Sequence, residues 1–83
     1  MGFNRKTRQD MYKVDEMTGD AAKNHAKSPA HLWGMGLTSE QVKRVEVVVV
    51  WGTGFEYSGP DFTHHVARDA DGVVVGQRIV DGY

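Results

Sequence analysis

Residues 62–80 have the sequence FTHHVARDADGVVVGQRIV and carry the strongest structural signal in the chain. Two runs rich in β-branched residues flank the tetrapeptide Asp69-Ala70-Asp71-Gly72. Aspartate favours turn positions in which its carboxylate bonds the following backbone, and glycine accepts the left-handed conformation of a bulged three-residue loop. The pattern predicts a hairpin with strands at 62–68 and 73–80, in which Asp69 pairs with Val73.

A third strand is predicted immediately upstream of this hairpin. Twelve valines against two leucines and one isoleucine favour a sheet, because valine loses rotamer freedom in helices and packs well on pleated surfaces. Residues 43–51 alternate with a period of two. One predicted face carries Val45, Val47, Val49 and Trp51, and the other carries Arg44, Glu46, Val48 and Val50. Residues 42–83 are therefore expected to form a three-stranded antiparallel β-meander in sequential order.

Residues 1–41 form a polar N-terminal segment that is expected to be partly helical or mobile. Thr7 and Asp10 resemble the start of a helix, and Met11, Val14 and Met17 recur at intervals of three, which predicts a helix near 8–17 ending at Gly19. A second short helix is predicted at 21–27, capped by Asp20 and ending before Pro29. Trp33 is expected to plug the edge of the core, and residues 38–41 fit a capping box that could begin one helical turn. The predicted fold class is α+β.

Both faces of the predicted meander are partly apolar. In a sheet with one solvent-exposed face, apolar and polar residues would instead alternate regularly along each strand. The register predicted for the hairpin puts Phe62, His64, Val66 and Arg68 on one face with Val74, Gly76, Arg78 and Val80. The alanine-rich helix of the N-terminal segment offers little cover for the strip around Val48 and Val50. A homodimer or a bound protein partner is therefore expected on that strip.

A long connection at residues 52–61 joins the first two predicted strands. It contains three glycines, and it carries Phe55 and Tyr57 close to Trp51. Long ordered loops are often functional, and aromatic side chains at the end of a sheet serve as protein-binding anchors or as platforms for nucleic-acid bases. The alternative is that Phe55 and Tyr57 fold back as a small core beneath the loop.

A short basic cluster near the N-terminus supports a second hypothesis. Arg5, Lys6 and Arg8 could contact phosphates, and together with the aromatic residues near the long loop they would make a nucleic-acid-binding accessory protein. Four acidic residues between Asp10 and Asp20 oppose this attraction. The overall net charge of −1 also excludes a strongly basic nucleic-acid module.

The titratable residues predict neither catalysis nor a metal site. His64 and His65 are adjacent, so on a strand they point to opposite faces and cannot both bind one metal ion, and a composite site with His31 would lack cysteine ligands. Glu56, Asp61 and His64 lie close in sequence but specify no reaction. The sequence is expected to be non-enzymatic and to bind no cofactor.

The length and composition limit the remaining classes. The chain has 83 residues and no cysteine, so its stability must come from packing or association. The longest apolar run, at 47–51, is far shorter than the roughly 20 residues that cross a bilayer. We therefore expect no membrane association and a cytoplasmic location.

No family motif is recognised in the chain. The bias towards valine, glycine, alanine and aspartate is typical of a GC-rich genome, and the short format is similar to that of accessory proteins of actinobacterial bacteriophages. That resemblance covers no motif, and it implies a small protein that binds a host or viral macromolecule and alters its activity. The leading hypothesis is a protein-interaction module that binds through the aromatic loop or an exposed sheet face.

Overall fold

The structure of the chain is a computed structural model, which describes residues 11–54 and 60–81. In chain order the elements are β1 (Met11–Thr18), α1 (Gly19–Ala26), α2 (Ser39–Arg44), β2 (Val47–Thr53), β3 (Phe62–Arg68) and β4 (Val74–Asp81). The strands form one sheet in the order β1-β2-β3-β4, and every neighbouring pair is antiparallel. The α+β class is confirmed. The meander of β2, β3 and β4 is also confirmed, but the sheet has four strands and not three.

The extra strand, β1, replaces the helix that was predicted near residues 8–17. β1 contains a β-bulge between Lys13 and Asp15, so Val14 is an extra residue in its pairing with β2. The bulge puts Val14 and Met17 on the same side of the sheet although they are three residues apart. An apolar spacing of three therefore arises here from an irregular strand, which explains why the helix prediction is wrong. The Thr7 start signal lies outside the described residues.

The β3–β4 turn has the predicted chemistry. The Asp69 carboxylate accepts from the backbone N–H groups of Asp71 and Val73 at 2.9 and 3.0 Å, and Asp69 N donates to Val73 O at 2.9 Å. Gly72 has a φ of +84°, the left-handed conformation that glycine accepts without strain. These contacts confirm the bulged three-residue loop.

The register beyond the turn differs from the prediction. Arg68 pairs with Val74 but Ala67 pairs with Gly76, so Val75 is a second bulge residue. The bulge displaces every later β4 residue by one position in its pairing with β3. Because side chains alternate between the two faces of a strand, each of these residues lies on the face opposite to the predicted one. His64 consequently lies opposite Ile79, and the predicted grouping of His64 with Arg78 and Val80 is wrong.

The two helices are short. α1 agrees with the helix predicted at 21–27, but it begins after Thr18, and Asp20 lies in its first turn and not at its cap. α2 begins with the predicted capping box: Thr38 N donates to Gln41 Oε1 at 2.8 Å, and Gln41 N donates to Thr38 Oγ1 at 3.2 Å. In the described part of the chain, no helix is long and apolar enough to cross a membrane.

The core lies between α1 and one face of the sheet, which we call the covered face. Its fully or almost fully buried members are Ala22, Ala26, Val45, Val48, Val50 and Ala67. Leu37 also reaches this face: its Cδ2 lies only 2.6 Å from where a Cβ on Gly76 would be, so a larger residue there would require the Leu37 side chain to shift. The expectation that the N-terminal segment leaves Val48 and Val50 uncovered is therefore wrong, because small alanines let α1 approach the valines closely. Val45 was predicted to share a strand face with Val47, Val49 and Trp51. It is instead the C-cap residue of α2 and lies before β2 begins.

Candidate interaction site on the open sheet face

The second face of the sheet, which we call the open face, carries no described helix. The strand registers give its members as Met11, Lys13, Glu16, Thr18, Val47, Val49, Trp51, Thr53, Phe62, His64, Val66, Arg68, Val74, Gln77, Ile79 and Asp81. Several of its large apolar side chains are exposed, and the exposed fraction is 66% for Ile79, 49% for Phe62 and 48% for Met11. Exposed apolar groups that are contiguous are typical of interaction surfaces.

A shallow pocket lies at one end of the open face. Its volume is about 410 Å³, and its lining comes from all four strands: Met11, Thr53, Phe62, Thr63, His64 and Ile79. The strand registers bring the open-face members together, since Thr53 is opposite both Met11 and Phe62, and His64 is opposite Ile79. Thr63 lies between Phe62 and His64 on β3, and its side chain belongs to the covered face. The sequence analysis named an exposed sheet face as one candidate site, but it assigned Val48 and Val50 to that face and none of these residues.

The aromatic residues proposed from the sequence are only partly within the described chain. Trp51 is half-buried on the open face, where its neighbours across the strands are Lys13 and His64. Phe55 and Tyr57 lie outside the described residues. The connection is closed at its base, where Asp61 N donates to Thr53 O at 2.9 Å. The base of the predicted aromatic loop is therefore next to the pocket.

The remaining residues that the sequence suggested as candidates either do not lie on the open face or fall outside the described chain. Val48 and Val50 are fully buried on the covered face. Arg5, Lys6 and Arg8 lie outside the described residues, as does Glu56. Asp61 is exposed.

The adjacent histidines point to opposite faces, as predicted. On the open face, His64 Nε2 is hydrogen-bonded to Gln77 Oε1 at 2.8 Å. On the covered face, His65 is completely buried and its Nδ1 lies 2.8 Å from Nε2 of His25. His25, and not His31, lies beside His65, and His31 is exposed.

Sequence reasoning missed the role of His25. The available signal is its position on α1, because His25 and Ala26 follow Ala22 at spacings of three and four, which puts both on the helical side of Ala22. All three residues are buried. A histidine within an alanine face that packs on a sheet must find a buried polar partner, and His65 supplies one.

Burial determines the electrostatics of this histidine pair. Desolvation lowers the pKa of His25, and the nearby Asp15 carboxylate partly opposes that shift. The pKa of His65 is lowered to about 4, first by desolvation and then by the positive charges that His25, His64 and Arg78 would place near it. Both imidazoles are therefore neutral at pH 7.

Within residues 11–54 and 60–81, no group of three histidine, aspartate or glutamate side chains is arranged to hold a metal ion.

The comparisons with known proteins add no relative: no family model matches the chain, and no curated protein or solved structure shows significant similarity to it.

Proposed function

We propose that the chain is a small non-enzymatic interaction module that binds a protein partner through the open face of its sheet. The observation that supports this proposal is the group of exposed apolar side chains around the pocket, namely Met11, Phe62 and Ile79. An apolar side chain of the partner would fill this pocket, and the surrounding strands would form the contact area. Buried apolar anchors of this kind supply most of the binding energy in protein interfaces.

The size of the open face favours a different protein over a second copy of this chain. Four strands of about seven residues outline roughly 440 Å², from a strand spacing near 4.8 Å and a rise near 3.3 Å per residue. A stable interface buries about 800 Å² on each partner. Two copies packed face to face would thus associate weakly, whereas a larger partner can extend past the open face onto the edge strands β1 and β4.

A non-enzymatic role is supported by the chemistry of the pocket. Among its lining residues, His64 alone is titratable, and its Nε2 is engaged by Gln77. General acid–base catalysis uses positioned titratable groups within reach of the reacting atoms, and one tethered imidazole on an open surface meets that need poorly. We place the module in the cytoplasm, as the sequence predicts, with an accessory role that alters the activity of the bound protein.

The test is a binding measurement on an identified partner. Partner candidates are captured from an extract of the source organism, purified, and titrated with the wild-type chain and with Ile79→Asp by calorimetry. An anchor contributes about 2 kcal/mol or more, so Ile79→Asp should weaken binding by roughly 30-fold or more. Val73→Asp is the matched control, because Val73 is similarly exposed, at 59%, but lies in the turn outside the open face.

Three results would replace the proposal. Equal affinities of the wild type and Ile79→Asp would exclude the open face as the binding site. Binding of a DNA or RNA oligonucleotide that weakens steeply between 50 and 200 mM salt would favour the nucleic-acid hypothesis, because phosphate contacts are salt-sensitive and apolar ones are not. Sedimentation of the purified chain as a dimer that Ile79→Asp dissociates would identify the partner as a second copy.

A further inference from the structure

Three aromatic rings lie close together and nearly parallel on the covered face. Trp33 lies parallel to His25 with ring centroids 4.9 Å apart, and His25 lies within 15° of His65 at a centroid separation of 5.0 Å. His25 belongs to α1 and His65 to β3, whereas Trp33 belongs to the connector that follows α1. The three rings therefore connect α1 and the segment that follows it to β3, which is about 40 positions further along the chain.

The hydrogen bonds of the pair fix how many protons it can hold. His25 Nε2 is 2.8 Å from His65 Nδ1, and His65 Nε2 is 2.9 Å from Thr63 Oγ1. One hydrogen lies between the two rings when both are neutral, and one more proton can be accepted without breaking that bond. Two imidazolium rings would each carry a hydrogen at the shared contact. The bond would then be lost and two like charges would face each other.

The charged groups around the pair favour a proton on His25 but oppose a second proton on His65. From β1, Asp15 acts favourably on a protonated His25. Around His65, the flanking groups are His64 on β3 and Arg78 on β4, and both disfavour a positive charge there. Lys23 on α1 is engaged elsewhere, with its Nζ 2.6 Å from Val45 O and 3.5 Å from Glu46 Oε2.

α1 depends on contacts of this kind for its attachment. It has only eight residues, and its buried residues are two alanines and His25. A helix this short is not stable alone in water, so it persists only where it is docked. Loss of the His25–His65 contact would leave α1 with small apolar contacts, the Lys23 interactions with Val45 and Glu46, and one backbone hydrogen bond at each end, from Gly19 N to Glu46 O and from Met35 N to Ala26 O.

We infer that the His25–His65 pair is an acid-operated latch, which holds α1 and Trp33 on the covered face at neutral pH and releases them when the pair takes up protons. Release would uncover Val48 and Val50 while the ladders of β2, β3 and β4 stay intact. The molecule would then offer a second apolar sheet face in acid. This inference does not depend on the proposed function of the open face.

The test follows α1 and the sheet separately from pH 8 to about pH 4. Side-chain NMR of the wild-type chain reports protonation of His25 and His65, and backbone amide protection reports the opening of α1 at Ala22 and Ala26. We expect protection of α1 to fall at least tenfold in a transition between pH 6.5 and about 4, while Val48–Val50 amides stay protected. Unchanged α1 protection, or simultaneous loss of protection in β2 and β3, would overturn the latch.

Two variants distinguish the latch from general acid sensitivity. His25→Gln keeps an N–H donor near the Nε2 position but cannot be protonated, so it should abolish the α1 transition above about pH 4. His64→Gln is the matched control, since it removes a neighbouring histidine from the opposite face and should leave the transition in place. The same transition in His25→Gln and the wild type contradicts the latch. If His25→Gln does not fold, the wild-type titration alone decides, because His25 and His65 must protonate together with α1 opening.

Discussion

Trp33 lies flat against His25 with parallel rings, and its indole Nε1 donates to Ser28 Oγ at 2.7 Å. This pair connects the segment after α1 to the histidine that contacts the sheet. The sequence predicts Trp33 as a plug at the edge of the core. In the structure it is a half-buried cover over a polar, ionisable group.

The first prediction concerns this cover. Trp33→Ala removes the stack and the hydrogen bond, and should lower the free energy of unfolding by about 2–3 kcal/mol. Trp33→Phe keeps a stacking ring and should lose about 1 kcal/mol. Leu32→Ala is the control, because the neighbouring Leu32 is 41% exposed and should cost less than about 0.5 kcal/mol. Urea unfolding checks the order; equal losses for Trp33→Ala and Leu32→Ala would contradict it.

The second prediction is a loss of stability in acid. The pKa of His65 is 6.5 in an unfolded chain and about 4 in the fold, so between these values the unfolded state binds more protons. Stability is therefore fully present above pH 6.5 and falls as the pH drops towards 4. The contribution of His65 is about 3 kcal/mol at most. Denaturant unfolding at several pH values measures the slope, and a free energy of unfolding that is constant from pH 7 to 4.5 would refute the prediction.

The third prediction separates the two faces of β2. Val50→Asp places a carboxylate in a completely buried position and should cost more than about 4 kcal/mol, which unfolds a domain of this size. Val47→Asp, three residues away on the open face, lies opposite Arg68 and should cost only about 1 kcal/mol. Circular dichroism and thermal melting compare the two. A folded Val50→Asp variant with an unchanged midpoint would show that the covered face is misassigned.

The fourth prediction uses two buried hydroxyl groups. Tyr12 Oη is buried without a hydrogen-bond partner in the described structure, so Tyr12→Phe should leave stability unchanged or raise it by about 1 kcal/mol. Thr63→Val removes a hydroxyl that is bonded to His65 and should lower stability by about 1–2 kcal/mol. The thermal midpoint should therefore fall in Thr63→Val and stay constant or rise in Tyr12→Phe, and a clear loss in Tyr12→Phe would contradict the reasoning.

Local chemistry explains what the sequence predicted well. The β3–β4 turn is determined by Asp69 and Gly72 within five residues, and the start of α2 by Thr38 and Gln41. Such signals act over short distances, so an isolated sequence shows them directly. The alternation of valines in β2 likewise predicts a strand, although it does not indicate which face will be covered.

Features that depend on distant partners were not predictable in this way. The bulges at Val14 and Val75 shift strand registers, and no local residue pattern marks them. The His25–His65 contact joins residues that are 40 positions apart. It exists because α1 docks on the covered face, mainly over β1 and β2, and thereby brings His25 to His65 of β3, which the spacing of alanines in α1 indicates only in outline.

The pairing of β1 with β2 has a consequence for the order of folding. Thr18 is the β1 residue nearest in sequence to its partner, Val47, and residues 19–46 lie between them. The β3–β4 partners Arg68 and Val74, in contrast, are joined by a tight turn. Closing the longer loop costs more conformational entropy, so the hairpin should form early and β1 should join the sheet late, together with the docking of α1. Mutations in β1 should accordingly speed unfolding and leave the folding rate almost unchanged.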